Sequence, residues 1–116
     1  MRMLCCISLH YCDISCCAKA WPVYKSWIDL LFEEFYAMGD KMRDKGIPVA
    51  AAFDRENHDT PPAKAQQGFI NYFVHPLCDA YSDLYPNTKM VVHNLDNNVK
   101  FLKNWEENSD TFKPTY

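Results

Sequence analysis

The chain of 116 residues has no basic run, no long apolar run and no sustained two-residue alternation of polar and apolar residues. Each absence removes a class of protein. Twelve Lys and Arg stand against fifteen Asp and Glu, for a net charge of −3. Nothing clusters to neutralise a polyphosphate backbone, so no nucleic acid is expected as a partner. No stretch approaches the ~20 apolar residues of a membrane span, so no membrane segment is expected. Met1 to Leu9 carries one Arg and a short apolar run, without the length or the small-residue cleavage site of a secretion signal. Repeats and low-complexity tracts are absent. Six cysteines are present, five of them within the first seventeen residues. None forms a Cys-x2-Cys pair and no His-x3–5-His follows, which argues against a zinc knuckle. Cys12 and Cys16 with His10 form only a weak alternative ligand set. The thiols read as the reduced, small apolar groups of a cytoplasmic protein.

What is present is a core. The apolar fraction is 48% and the aromatic fraction 15%, which suits one packed domain rather than a disordered chain. A chain of this length buries roughly two-thirds of its unfolded surface. The periodicity is helical. Residues 1–12 read as a short apolar helix, ended by Asp13, Ile14 and Ser15. Pro22 suits a first helical turn. After it Trp27, Leu30, Leu31, Phe35 and Met38 recur at steps of three and four. Gly39 is expected as a C-cap or hinge, Asp40 to Lys45 as a short polar helix, and Gly46 as its stop. Residues 47–64 read as a long ordered loop. A helical pattern resumes at Ala65 and runs through Ile70, Val74 and Tyr81, with Pro76 expected to kink or split it. Asn87 or Thr88 is the expected N-cap of a last helix, whose stripe is Val91, Leu95, Leu102 and Trp105. The fold class is all-α. Residues 1–105 form the expected domain and 106–116 a frayed tail.

The most informative stretch is Ala65 to Leu77, AQQGFINYFVHPL. Gln66 and Phe69 lie three apart and share a helix face. An amide and a ring so placed can hydrogen-bond the edge of a flat heterocycle and stack on its plane. This stretch resembles the purine-pocket segment of the class I cyclic nucleotide phosphodiesterases. Three further blocks resemble that family in the same order: Cys12-Asp13-Ile14-Ser15, Trp27 to Asp40 (WIDLLFEEFYAMGD), and Phe53-Asp54-Arg55. Together they cover roughly residues 10–105 and are similar to the C-terminal third of an all-helical catalytic domain, a helical-bundle fragment.

The resemblance implies metal-dependent hydrolysis of cAMP or cGMP, or both, to the 5′-monophosphate. In that family two divalent cations, Zn and Mg or Mn, activate a bridging hydroxide and clamp the phosphate. On this chain the resemblance makes Asp13 a metal ligand, Gln66 the donor and acceptor to the purine edge, and Phe69 and Leu31 the aromatic and aliphatic halves of a clamp on the base. Tyr24, Trp27 and Phe35 fall on core or pocket-wall positions. From the residues alone, Asp13 also suits a helix N-cap or loop charge, Gln66 a surface amide, and Phe69 and Leu31 ordinary core. No histidine (His10, His58, His75 or His93) matches a ligand position, and all four read as structural or exposed. No general acid or base is expected among these residues.

The pattern also departs from the family. Its metal-binding histidines lie upstream of the aspartate block, and only about a dozen residues precede Asp13 here. One carboxylate does not hold two cations. The expectation is a fragment that is inactive alone, or a non-catalytic helical module binding a nucleotide or a partner. Its face of Trp27, Leu31, Phe35, Phe69 and Phe73 would be sticky by itself. Cys16 and Cys17 replace the family's Asn-x-Pro type of turn. Cyclic nucleotide is the implied small-molecule partner, and a homodimer of the complete protein is an implied assembly.

Overall fold

A computed structural model describes residues 2–57 and 59–108. It is all-α. The elements are α1 (Arg2–Asp13), a 3₁₀ segment (Ile14–Ala18), α2 (Trp21–Asp44), a 3₁₀ turn (Ala51–Phe53), α3 (Pro62–Phe69), a π segment (Ile70–Val74), α4 (His75–Leu84), a 3₁₀ turn (Pro86–Thr88) and α5 (Lys89–Asn108). His58 and the expected tail beyond Asn108 lie outside the described residues, while Glu106 to Asn108 continue α5.

The first correction concerns α2. It runs unbroken from Trp21 to Asp44, so Gly39 is neither a cap nor a hinge. Gly39 is buried mid-helix because the backbone of the following loop lies against it. A Cβ there would overlap the carbonyl of Phe53. Only a hydrogen lets loop and helix touch. The stop is at Gly46 as expected, with φ +67°. Its N–H donates to the Arg43 carbonyl (3.0 Å) and that of Ile47 to Met42 (2.9 Å), the double bond pattern of a Schellman end.

The second correction concerns which face of α2 is buried. Tyr24, Ile28, Phe32 and Gly39 are buried. Trp27, Leu30 and Met38 from the expected stripe are 57%, 60% and 43% exposed. Helical spacing alone could not choose, because α2 carries apolar residues on two faces. The contacts decide. Its Tyr24–Phe32 face turns to α3, and the Trp27–Leu30 face is left outward.

The helix after the loop begins at Pro62, three residues before the expected start. Pro76 is accommodated, not disruptive. Its ring removes a backbone donor to the carbonyl four residues earlier. The helix meets this by widening into the π segment Ile70–Val74 and resuming as α4. The α3–α4 run packs on α5, α2 packs on α3 and the 51–53 turn, and α1 rests on the 14–18 segment and α4. Ile70, Val74, Leu95 and Leu102 have no exposed surface and form the centre of the core. Val91 and Trp105 pack partly buried against it, as the α5 stripe anticipated. The Thr88 hydroxyl donates to the Tyr85 carbonyl (2.8 Å), closing the turn before α5. The thiols divide. Cys17 and Cys78 are core residues as expected, whereas Cys5, Cys6 and Cys12 are exposed and Cys16 is half-buried.

Candidate purine-recognition site

The site is built on Gln66. Its place near the start of α3, on the side facing α2, buries it to 7% exposure. It is therefore no surface amide. The Tyr24 hydroxyl, buried at 1% exposure, donates to Gln66 Oε1 across 2.8 Å. Burial raises the Tyr24 pKa above the ordinary tyrosine value, with the neighbouring Cys17 thiol adding to the effect. Tyr24 thus stays a proton donor at all working pH. The amide is held with its oxygen toward Tyr24, and its nitrogen is the end left to donate.

Phe69 follows one helical turn later. Its ring is 37% exposed, and its other side leans on Phe73 at a centroid distance of 5.8 Å. One side packs against Phe73 and part of the ring remains open to solvent. Leu31 is half-buried on α2. It lies seven residues after Tyr24, close to two full turns, and therefore on the same stripe of that helix. The structure thus joins Tyr24 to Gln66 directly, sets Phe69 one turn from Gln66, and carries Leu31 on Tyr24's helix.

Asp13 stands apart from them. It is the last residue of α1, with helical dihedrals and no side-chain capping bond. The N-cap alternative is thereby removed. Its exposed carboxylate lines a surface hollow of about 410 Å³ with Cys6, Leu9 and His10. Among the described residues no three His, Cys, Asp or Glu side chains converge as a metal-holding group. Divalent cations want several oxygen or nitrogen ligands each. The residues present supply one such ligand and do not by themselves fit a two-metal site.

The segment that follows Asp13 is fixed by α5. Asn98 Nδ2 donates to the carbonyls of Cys17 (2.7 Å) and Lys19 (2.8 Å), and Asn94 Nδ2 to that of Ala18 (3.2 Å). Asn98 is 2% exposed. These bonds satisfy carbonyls that the short 3₁₀ turn leaves unpaired. Reading the sequence for periodicity missed Asn98. The signal was available: it is a polar residue midway between Leu95 and Leu102 on a buried stripe.

The Phe53-Asp54-Arg55 block has a structural role. Arg43 pairs with Asp54 (2.6 Å), and Arg55 pairs with Asp40. The Glu56 backbone N–H, then Arg43, hold the Asp54 carboxyl below the usual range. These pairs tie the 51–57 loop to α2 where Phe53 rests on Gly39. His75 is also structural. Its ring nitrogens meet Asp79 (2.9 Å) and Asp96 (3.0 Å), linking α4 to α5. The Asp96 bond, with Asp79 adding to it, raises its pKa.

Comparison with known proteins gives the family of the chain. The family model described as 3′5′-cyclic nucleotide phosphodiesterase matches residues 1–95. A 3′,5′-cyclic-AMP phosphodiesterase of Drosophila melanogaster, isoform F, is 40% identical over 96 residues, 82% of this chain and 14% of that protein. The 3′,5′-cyclic-AMP phosphodiesterase 4C of Rattus norvegicus is 33% identical over 96 residues, 82% of this chain and 18% of its own length. The chain thus spans less than a fifth of either relative. The match includes the Asp13, Leu31, Gln66 and Phe69 positions, and the chain belongs to the 3′,5′-cyclic nucleotide phosphodiesterase family.

Proposed function

We propose that this chain supplies the base-recognition wall of a phosphodiesterase acting on cAMP. The observation that carries the proposal is the Tyr24–Gln66 bond. With Oε1 facing Tyr24, the amide keeps a second lone pair on that oxygen and the donors on Nε2. The adenine edge offers an amino donor beside a ring-nitrogen acceptor, which a glutamine amide matches bidentately. Guanine presents the reverse pair there, the O6 acceptor beside the N1–H donor, so an amide held in this orientation would set acceptor against acceptor and donor against donor. The names of the two relatives, both cyclic-AMP phosphodiesterases, point the same way.

Phe69 and Leu31 would hold the base between a ring face and an aliphatic wall. Asp13 would give one carboxylate to the divalent cations that family membership suggests. The residues present do not complete such a site, and we infer that the remaining ligands come from a longer catalytic domain of which this chain forms a part. The working protein would be cytoplasmic and could pair as a homodimer. A second reading is a nucleotide-binding module without turnover. It is favoured by the single, isolated metal-type carboxylate.

Calorimetry of the purified chain with cAMP and with cGMP, each with and without Mg²⁺ or Zn²⁺, tests the proposal. cAMP should bind more tightly than cGMP, and Gln66→Ala should weaken cAMP most. Equal affinities, or an unaffected Gln66→Ala variant, would remove the assigned role of Gln66. Chromatography for 5′-monophosphate separates the readings of the chain. No turnover is expected, and turnover by the chain alone would overturn its proposed dependence on further residues.

A further inference from the structure

Cys16 and Cys17 lie in the 3₁₀ segment Ile14–Ala18 that follows Asp13. Their sulfurs lie 3.9 Å apart, within hydrogen-bonding distance for S–H···S. Among the described residues, this is the only sulfur–sulfur hydrogen bond between cysteines. The two members differ in access. Cys17 is 1% exposed and held in the core, while Cys16 is half-buried and reaches solvent. Asn98 and Asn94 hold the backbone carbonyls of Cys17, Ala18 and Lys19, which anchors the Cys17 end of the pair to α5.

We propose that Cys16 is a modification site, a thiol primed by its neighbour to take small electrophiles and hydrogen peroxide ahead of the other five cysteines. Either sulfur can donate in this contact, and because Cys17 is the one shut in the core it keeps the proton, so that its S–H faces the Cys16 sulfur and stabilises it as thiolate. Backbone N–H groups of Cys17 and Cys16 add to this, while partial burial and the Asp13 carboxylate oppose it; the thiol falls to about 7 from a free-cysteine value near 9. The Cys17 pKa moves the other way, raised by its bond to Cys16 and by burial, so it remains the proton-bearing partner. Besides Asp13, the Tyr24 phenol lies against Cys17, and it stays protonated.

With peroxide the thiolate sulfur attacks one oxygen. An S–O bond forms, the O–O bond breaks, and the sulfur gives up two electrons. Hydroxide leaves and takes up the proton that the thiol had released to the medium, giving water. The product is a sulfenic acid on Cys16. Cys17 is poorly placed to condense with it. Adjacent Cα atoms sit ~3.8 Å apart, below the ~4.4 Å at which disulfides normally begin. The sulfenic acid therefore stays open to an external nucleophile.

The test is competitive labelling of the full chain with limiting iodoacetamide at pH 7, mapped by mass spectrometry, and dimedone trapping after peroxide. Cys16 should be labelled first in both, at least several-fold ahead of the fully exposed Cys5, Cys6 and Cys12. Labelling of any of those three at an equal or greater rate overturns the proposal. The pH profile of Cys16 alkylation supplies the second readout. Cys17→Ala removes the donor and should move the midpoint upward by about a unit, while Cys17→Ser, which keeps a donor, should restore it. A midpoint unchanged in Cys17→Ala, with circular dichroism showing a folded chain, overturns the role of Cys17.

Discussion

Replacing Tyr24 by Phe isolates one oxygen atom. The ring keeps its core contacts, and what is lost is the hydroxyl that donates to Gln66 Oε1 and also meets the Cys17 thiol. Both partners are buried, so water does not substitute freely. Leaving a buried acceptor unpaired costs about 1–3 kcal/mol, and the fold should lose stability on that scale. The more telling effect is on recognition. Without the Tyr24 donor the amide can turn over, presenting Nε2 where Oε1 stood, and a guanine-type edge becomes acceptable. A bidentate base contact discriminates by about 1–3 kcal/mol, and each 1.4 kcal/mol is tenfold. The ratio of cGMP to cAMP dissociation constants should therefore fall by about fivefold or more in Tyr24→Phe. Titration calorimetry on the chain gives both constants, and urea unfolding gives the stability change. A variant that unfolds at the expected lower urea concentration yet keeps the wild-type ratio would refute the reasoning. Tyr24 would then be a core residue only.

Other outcomes follow from single features. Asn98→Ala leaves the buried carbonyl of Cys17 and the partly buried carbonyl of Lys19 without their donor. It should cost about 2–4 kcal/mol by urea denaturation, more than a surface Asn104→Ala control. Gly39→Ala drives a methyl group into the Phe53 carbonyl, and the loop must lift from α2. Hydrogen exchange should quicken at residues 51–57 while the helical propensity of α2 itself improves. His75 has a pKa raised above its unfolded value by Asp96 and Asp79, so the folded state binds its proton more tightly. Its contribution is full below about pH 6.5 and fades as pH rises through the raised folded value. The urea midpoint of wild type should fall relative to His75→Ala across that window, and parallel curves would contradict the clamp.

The family blocks were legible because they are runs of adjacent residues. The same holds for the helix starts and stops. Pro22, Gly46 and the Leu95–Leu102 stripe act through neighbours three or four positions away, and the all-α class follows from such local rules. Asp13, Gln66, Phe69 and Leu31 could be named from the sequence by motif, but not by the company they keep.

That company is set by contacts far apart in the chain. Tyr24 meets Gln66 across 42 positions and Asn98 meets Cys17 across 81. Phe53 explains Gly39, a residue whose local surroundings suggested a helix end. On α2 the sequence offered two apolar faces, and packing against α3 buried Tyr24, Ile28 and Phe32 while leaving Trp27 outward. Local sequence determined where the backbone coils, since each helical bond spans four residues. Only tertiary packing decided which polar atoms were shut away from water, and hence which of them had to find each other.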